Sequence, residues 1–260
     1  MRAFDIRQYE SLGSTSDEAF RLAREGAAHA TVVTAREQTA GRGRVGRGWD
    51  SPVGNLYLSV LLRLDLAPGR IAELSFVAAL AVAEMVDAFA AGRVSLKWPN
   101  DVLIDGAKVA GILVEQANGA TVIGIGVNVA HCPSGLAYPV TSLVGASRAP
   151  LPLTPSRKGR GDSHSQSPLP LREGVGGGVA DVPLVRTTLL AALSRRLDAW
   201  LADGFATIRT DWLARAHPTG TPLRAGALHG TFATIGPDGT LLLDTPTGRV
   251  RIVGGEVQSR

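Results

Sequence analysis

Cysteine is nearly absent from this chain of 260 residues, and aromatic residues make up only 5% of it. The single Cys132 excludes an intrachain disulfide, and we interpret it as a small buried side chain. The five histidines are scattered, and His131-Cys132 has no further ligands at metal-binding spacing, so a protein-held zinc site is not expected. The scarcity of aromatic rings also argues against a stacking platform for single-stranded nucleic acid.

Long apolar runs are missing as well. The most apolar stretch, 76–91, contains Glu84 and Asp87 and is too short to span a bilayer. The first twenty residues lack the apolar segment of a secretory signal. We therefore expect a cytoplasmic protein with no membrane association.

Several common catalytic motifs do not occur. The chain contains no G-x-x-x-x-G-K-[ST] phosphate loop and no G-x-S-x-G nucleophile elbow, and Gly124-Ile125-Gly126 is not a dinucleotide fingerprint because no helix follows it. The net charge of +4 is carried partly by the region 150–182, and no recognition-helix pattern accompanies it. Specific DNA binding is therefore not expected.

The hydrophobic patterning predicts an α+β fold. Short extended segments follow one another through good hairpin turns at Asp105-Gly106 and Asn118-Gly119, which indicates a mixed, largely antiparallel sheet covered by helices. A capping box with Thr15 as the N-cap and Glu18 three residues later starts the first predicted helix. The predicted helices are 15–25, 71–91, 184–201 and 205–216, and the predicted strands are 4–10 (an edge strand), 31–35, 55–64, 94–98, 101–104, 109–116 and 121–129.

Two regions depart from this pattern. Residues 150–182 are rich in Pro, Gly, Ser and Arg without periodicity, which predicts a disordered insertion. After Pro218 the chain changes to short β units at 231–235, 241–244 and 250–253, which predict a small β-barrel too small to stand alone. We therefore predict two domains, 1–217 with the insertion and 218–260.

The most informative segment is Gly41-Arg42-Gly43-Arg44-Val45-Gly46-Arg47-Gly48-Trp49, here called the Arg/Gly loop. Glycine permits backbone conformations that bring the chain close to a ligand, and arginine presents a planar fork that matches carboxylate and phosphate oxygens. The loop indicates an anion-binding cover, although a solvated basic loop has the same composition.

Three further segments accompany it: 97–101 (KWPND), 108–115 (KVAGILVE) and 124–129 (GIGVNV). The first fixes a lysine at a strand end, where it serves as a point charge or points into water. The other two place glycine within strands, which allows a ligand or another backbone to approach closely or simply fills a core.

Taken together, the four segments in this order and spacing resemble the biotin protein ligase family. The C-terminal Gly254-Gly255-Glu256-Val257 is similar to the end of that family's SH3-like domain. The resemblance implies a catalytic domain like that of class II aminoacyl-tRNA synthetases, followed by an SH3-like barrel. It also implies a two-step reaction: biotin and ATP give biotinyl-5′-AMP, and the biotinyl group then passes to a lysine of a biotin carboxyl carrier protein.

The resemblance also assigns roles, with Lys97 as the lysine that bridges the carboxylate and the phosphate. The implied catalytic residues are Lys97, Arg42 and Arg44. The implied biotin contacts are Ser14, Thr15, Ser16, Gln38, Arg42, Gly43, Arg44, Lys97, Gly111 and Ile112. The implied nucleotide contacts are Arg44, Arg47, Trp49, Lys97 and Asn128. Ser16 stands where the family usually has asparagine, and Val45 where arginine is common.

The resemblance implies ATP and biotin as substrates with Mg²⁺, no metal ligand set in the protein, and a homodimer as one oligomeric option. Because the catalytic motifs begin close to Met1, a helix-turn-helix module has no room, and we expect no transcriptional repression. Three alternatives stay open: a lipoate–protein ligase, a non-catalytic sensor of an anionic ligand, and a single-strand nucleic-acid binder.

Overall fold

The computed structural model describes residues 4–148 and 181–259. The predicted insertion at 150–182 therefore lies outside the described residues, apart from its last two positions. Of these, Val182 is the first residue of a helix, so the helix predicted from 184 begins two residues earlier.

The chain builds a seven-stranded sheet with helices, followed by a five-stranded sheet. The strands of the first sheet are β1 (Asp5–Leu12), β2 (Thr31–Gln38), β3 (Leu56–Leu62), β4 (Val94–Lys97), β5 (Asp101–Ile104), β6 (Ala107–Ala117) and β7 (Ala120–Val127). The helices are α1 (Thr15–Arg24), α2 (Glu73–Ala90), α3 (Leu143–Arg148), α4 (Val182–Asp203) and α5 (Phe205–Leu213). The second sheet contains β8 (Pro222–Ala225), β9 (Leu228–Ile235), β10 (Leu241–Thr245), β11 (Gly248–Ile252) and β12 (Val257–Ser259).

The first sheet has the order β1-β2-β3-β7-β6-β5-β4, with β1 at one edge as predicted. Only the pair β1–β2 is parallel, and its connection carries α1. The other neighbours are antiparallel. The predicted α+β fold with a mixed, largely antiparallel sheet is therefore confirmed.

Both faces of this sheet are covered, because side chains of a strand alternate between faces. On β3, Leu58 and Val60 belong to the main core with α2 and α4, whereas Leu61 packs in a smaller cluster with Ala19 and Leu22 of α1. Ser59 points to the α1 side and is fully buried. The α1 face is thus the one on which a polar site can form.

Helix α2 is apolar around nearly its whole circumference, as expected for a helix enclosed on all sides. It packs against α4 and α5 on one side and against the sheet on the other. This placement makes α2 the centre of the main core.

The C-terminal sheet has the order β11-β10-β9-β8-β12 and is antiparallel throughout. The strands β8 and β12 were missed by the sequence prediction, since each is very short. Leu241 and Leu243 belong to the same core as α2 and α5, and Trp98 Nε1 donates to the Gly239 carbonyl at 3.0 Å. The small sheet therefore shares the core of the larger part, and the domain boundary at 217/218 stays a prediction.

Local features separate correct from incorrect expectations. The two hairpin turns are confirmed, with positive φ at both residues of each turn, for example 51° at Asn118 and 73° at Gly119. The N-cap of α1 is Ser14 rather than Thr15, because the Ser14 hydroxyl accepts from the Ser16 amide at 3.3 Å. Cys132 is exposed and not buried, since the loop after β7 carries it away from the core.

Within 4–148 and 181–259, every helix is too short or too polar to cross a membrane.

Candidate active site

A cavity lies on the α1 face of the sheet, where β6 and β7 present glycine. Gly111 of β6 pairs with Gly126 of β7, and Gly124 precedes it on the same face. A Cβ on Gly124 would lie 2.8 Å from Ser16 Oγ, so a side chain there would close the gap between sheet and helix. Because these three glycines carry no side chain, their backbone forms the floor of the cavity.

The indole of Trp49 rests on this floor. An ideal Cβ on Gly126 would lie 2.5 Å from Trp49 Cε2, and one on Gly111 would lie 2.9 Å from Cζ3. The indole nitrogen is buried without a hydrogen-bond partner within the described chain. The remaining cavity measures about 80 Å³, whereas pockets for drug-sized molecules are about 300–1,000 Å³. A ligand of that size therefore requires Trp49 to move.

One wall of the cavity is a polar network at the N-terminus of α1. Gln38 Oε1 accepts from the Thr15 amide at 2.8 Å and from the Thr15 hydroxyl at 3.1 Å. The hydroxyl of Ser59 lies 2.8 Å from that of Thr15 and 3.0 Å from that of Ser16. Because each hydroxyl can donate or accept, the network can adjust to a polar, uncharged ligand group.

The network continues into the Arg/Gly loop. Gln38 Nε2 donates to Ser51 Oγ at 2.9 Å, and the Ser51 hydroxyl donates to the Trp49 carbonyl at 2.8 Å. A Cβ on Gly41 would lie 2.4 Å from that same carbonyl. A chain of hydrogen bonds therefore connects the polar wall to the backbone of the Arg/Gly loop at Trp49.

The loop itself is a small two-stranded ribbon that extends over the cavity. Arg42 and Gly48 form an isolated antiparallel bridge, and the Gly43 amide donates to the Arg47 carbonyl at 2.7 Å. The turn at its tip has positive φ at Val45 (56°) and Gly46 (71°). Valine in this left-handed region is uncommon, because a β-branched side chain crowds the backbone there.

Arg44 points inward from the ribbon. Its Nη1 donates to Asn100 Oδ1 at 3.3 Å and to the Gly255 carbonyl at 3.4 Å. Burial lowers the pKa of the Arg44 guanidinium, while the charges of Asp101 and Glu256 oppose that shift. Among the described residues its direct partners are neutral oxygens, so Arg44 keeps its charge available for an anion.

Arg47 connects the loop to the C-terminal sheet by an ion pair with Glu256. This hydrogen bond holds the pKa of the Glu256 carboxyl below its ordinary value, and the charges of Lys97 and Lys108 add to the effect. Glu256 itself lines the cavity. The C-terminal sheet therefore contributes to the site directly.

Lys108 adds an ammonium group to the arginines of the cavity. Its Nζ lies 2.7 Å from Asp101 Oδ1, and both side chains are largely buried. The ammonium also lies 5.3 Å from the ring centroid of Trp49 and 5.8 Å from that of Tyr138, within the range of cation–π attraction. The amine is thus fixed between a carboxylate and two aromatic rings beside Gly111.

Residues 11–130 match the model of the biotin/lipoate A/B protein ligase family, and residues 222–260 match that of the biotin protein ligase C-terminal domain. The chain is 40% identical over 257 residues to the biotin–[acetyl-CoA-carboxylase] ligase of Paracoccus denitrificans, covering 94% of this chain and 96% of that protein. The chain belongs to the biotin/lipoate A/B protein ligase family.

Two more relatives place this family member among known proteins. It is 32% identical over 260 residues to the bifunctional ligase/repressor BirA of Bacillus subtilis, covering 96% of this chain and 72% of that protein. The solved biotin protein ligase of Aquifex aeolicus in complex with biotin and ATP superposes with a TM-score of 0.76 at 25% identity, covering 98% of both chains. The resemblance stated from the motifs is confirmed.

Most of the residues that the motifs of this ligase family assigned lie together in the structure. The ones that line the cavity are Ser14, Thr15, Ser16, Gln38, Arg42, Gly43, Arg44, Arg47, Trp49, Gly111 and Ile112. Their individual roles stay predictions, but their convergence from four distant segments is a property of the fold.

Two assigned residues do not line this cavity. Lys97 ends the edge strand β4 and lines a separate small cavity with Trp212 and His217. Through the pairs Lys97–Asp101 and Asp101–Gly111 it stands in the same row of the sheet as the glycine floor, and its charge acts on Glu256. Asn128 is buried, and its Nδ2 donates to the Thr141 carbonyl at 3.0 Å. Neither residue belongs to the described lining of the main cavity, and their assigned contacts with biotin or nucleotide stay predictions.

Sequence reasoning assigned no role to other residues of the site. The sequence did indicate Lys108, since it opens the 108–115 motif three residues before Gly111. It also showed Gly124 and Gly126 on one face of a strand. Ser59 had no local signal, because it reaches the site only through strand pairing. Glu256 stood in the C-terminal motif 254–257, but its place at the cavity depends on docking of the C-terminal sheet.

His217 gives this family member a testable pH dependence. Burial lowers the pKa of His217, the charge of Lys97 adds to the shift, and Nε2 has no hydrogen-bond partner among the described residues. Since the folded pKa lies below the unfolded value of about 6.5, the unfolded chain binds the proton first as the pH falls. The free energy of unfolding should therefore decrease below about pH 6.5 until the folded pKa is passed.

We expect His217→Gln to reduce this acid-induced loss of stability. Urea unfolding at several values between pH 7.5 and 5 measures it, with the exposed loop variant His131→Gln as the control. An unchanged pH dependence in His217→Gln would show that other groups are responsible.

Proposed function

We propose that this chain is an ATP-dependent biotin protein ligase, which forms biotinyl-5′-AMP and transfers the biotinyl group to a lysine of a biotin carboxyl carrier protein. The observation that carries the proposal is the cavity itself: a neutral polar wall, a glycine floor, and two inward-facing cations, Lys108 and Arg44. The relationship to the Paracoccus denitrificans ligase supports it over nearly the whole chain.

The cavity suits the first step because two anions must meet there. A carboxylate oxygen of biotin attacks the α-phosphorus of ATP, and the bond to the pyrophosphate oxygen breaks. Lys108 and Arg44 offset the repulsion between the carboxylate and the phosphate, and they are held in place by Asp101 and Asn100 before the ligands arrive. Such fixed charges in a partly dry cavity are effective because they need no reorganisation.

The second step needs access for a protein lysine. Its neutral ε-amine attacks the acyl carbon of the adenylate, AMP leaves, and the amine gives up a proton. This route uses no protein nucleophile, which agrees with the hydroxyls at the cavity being occupied in a hydrogen-bond network.

The polar wall suits the ureido ring of biotin, which has both donors and an acceptor. Thr15, Ser16 and Gln38 offer matching groups at one end of the cavity, and Lys108 lies at the other side of the glycine floor. The Ser16 hydroxyl lies 3.0 Å from that of Ser59 and also lines the cavity. It can therefore hold the polar network together and contact a ligand.

The cavity offers a magnesium ion few protein ligands. Asp101 and Glu256 are the carboxylates that line the cavity, and each already contacts a cation. Mg²⁺ is commonly held by one or two carboxylates plus substrate phosphates and water. Asp101 would hold such an ion, whose charge would neutralise the phosphates of ATP.

The carrier protein as acceptor, a homodimer, the lack of DNA binding and a cytoplasmic location stay predictions from the sequence. The structure adds one requirement for the acceptor protein. Its lysine must reach the cavity past the Arg/Gly loop, because Trp49 covers the glycine floor.

Biotin-dependent exchange between ATP and labelled pyrophosphate tests the proposal, with lipoate measured in parallel. Exchange with biotin and not with lipoate is expected. Exchange with lipoate alone would assign the chain to lipoate ligation, and no exchange in a folded protein would favour a non-catalytic sensor of an anionic ligand.

A further inference from the structure

The side chain of Arg42 does not point to a free binding site in the cavity. Its Nη1 and Nη2 donate to the two oxygens of Glu115 at 2.9 and 2.8 Å, and Nη2 also lies 2.9 Å from Asp17 Oδ1. Asp17 belongs to the first turn of α1 and Glu115 to β6. The contacts therefore attach one strand of the Arg/Gly ribbon to both walls of the site.

This arrangement leaves Arg42 with two carboxylates for one guanidinium. A ligand carboxylate approaching it would meet a cluster that already has a net negative charge, so binding there would require breaking an existing pair. The neutral partners of Arg44 impose no such competition. The geometry thus gives the two arginines different roles: Arg44 is free to bind an anion, and Arg42 holds the loop.

A second feature opposes loop closure. Val45 at the tip of the ribbon has φ of 56° and ψ of 40°, and its side chain is 80% exposed. A non-glycine residue in this region is strained, and here no packing contact compensates because the side chain faces solvent. Strain of this kind persists only when other contacts hold it in place.

We propose that Asp17 and Glu115 are positioning residues that hold the Arg/Gly loop closed through Arg42, against the strain at Val45, and thereby set how long the adenylate stays bound. This inference rests on the proposed ligase function. It assigns to Arg42 the role of a closing contact instead of the contact with the biotin carboxylate that the family resemblance implied.

The inference predicts opposite effects for two kinds of variant. In Asp17→Asn combined with Glu115→Gln, labelled biotinyl-5′-AMP should dissociate from the purified enzyme about tenfold faster, since partly exposed charge-assisted pairs are lost. In Val45→Gly, dissociation should slow about fivefold, because glycine adopts the left-handed conformation without strain. The rate of adenylate formation at saturating substrates should change by less than about twofold in both.

A matched control uses an ion pair remote from the loop. Arg36 and Glu10 form an exposed pair between β2 and β1, so Glu10→Gln tests the loss of one surface carboxylate and should leave dissociation unchanged. The single variants Asp17→Asn and Glu115→Gln should each give part of the effect, which covers the case that the double variant folds poorly.

The outcomes distinguish the two levels of the proposal. Absence of biotin-dependent exchange in the unmodified enzyme would overturn the ligase function itself. Normal exchange with unchanged adenylate dissociation in the Asp17 and Glu115 variants would overturn the positioning role alone. A faster dissociation in Val45→Gly would contradict the role of strain at Val45, since it would show that the freedom glycine gives the open loop exceeds the strain that valine adds to the closed loop.

Discussion

Replacing Lys108 with alanine should lower the rate of biotin-dependent ATP–pyrophosphate exchange by about two to three orders of magnitude, the usual cost of removing one preorganised charge or donor from an active site. The amine lies 2.7 Å from Asp101 and next to Gly111, in the cavity where the two anions must meet. Among the described residues, Lys108 is the lysine that lines this cavity.

The informative comparison is Lys97→Ala. The resemblance assigned the catalytic charge to Lys97, which lines a small cavity with Trp212 and His217 and not the main one. We expect this variant to lose less than about tenfold in exchange rate, through the longer-range effect of Lys97 on Glu256.

Lys108→Arg serves as the conservative control, because it keeps the charge but changes its shape, and should retain partial activity. Circular dichroism and thermal unfolding establish that each variant is folded. Equal losses in Lys97→Ala and Lys108→Ala would contradict the assignment of the catalytic charge to Lys108. A larger loss in Lys97→Ala would assign that charge to Lys97.

The second large effect is expected at Gly126. In Gly126→Ala the new Cβ would lie 2.5 Å from Trp49 Cε2 and 2.6 Å from Nε1. Such distances are well inside van der Waals contact, so the indole must leave the floor or the strand must shift. We expect the KM for biotin to rise by about 10- to 100-fold, because the methyl group also occupies the space that a bound ligand needs.

The strand itself should tolerate the change. β7 is paired on both sides, by β3 and β6, and alanine does not disturb its backbone hydrogen bonds. Gly69→Ala is the matched control, since an added Cβ there meets no atom within 4 Å. Steady-state kinetics with varied biotin measure the effect; an unchanged KM in Gly126→Ala would show that ligands do not lie on the glycine floor.

The sequence by itself determined the features that depend on neighbouring residues. The hairpins at Asp105-Gly106 and Asn118-Gly119 are fixed by local turn chemistry, and the alternation along β3 decides which side chains face each layer. The glycines of β6 and β7 and the Arg/Gly loop were recognisable for the same reason, since their composition is meaningful without knowledge of distant partners.

Only the tertiary structure decided what depends on register and docking. Lys97 and Lys108 are both lysines near strand ends, but the fold puts Lys108 against Asp101 and Trp49 beside the glycine floor, whereas Lys97 lines a small cavity with His217. Likewise, Arg42 and Arg44 are separated by one residue, yet the ribbon directs one to Glu115 and the other to Asn100. These partners lie 73 and 56 positions away along the chain, so no local pattern encodes them.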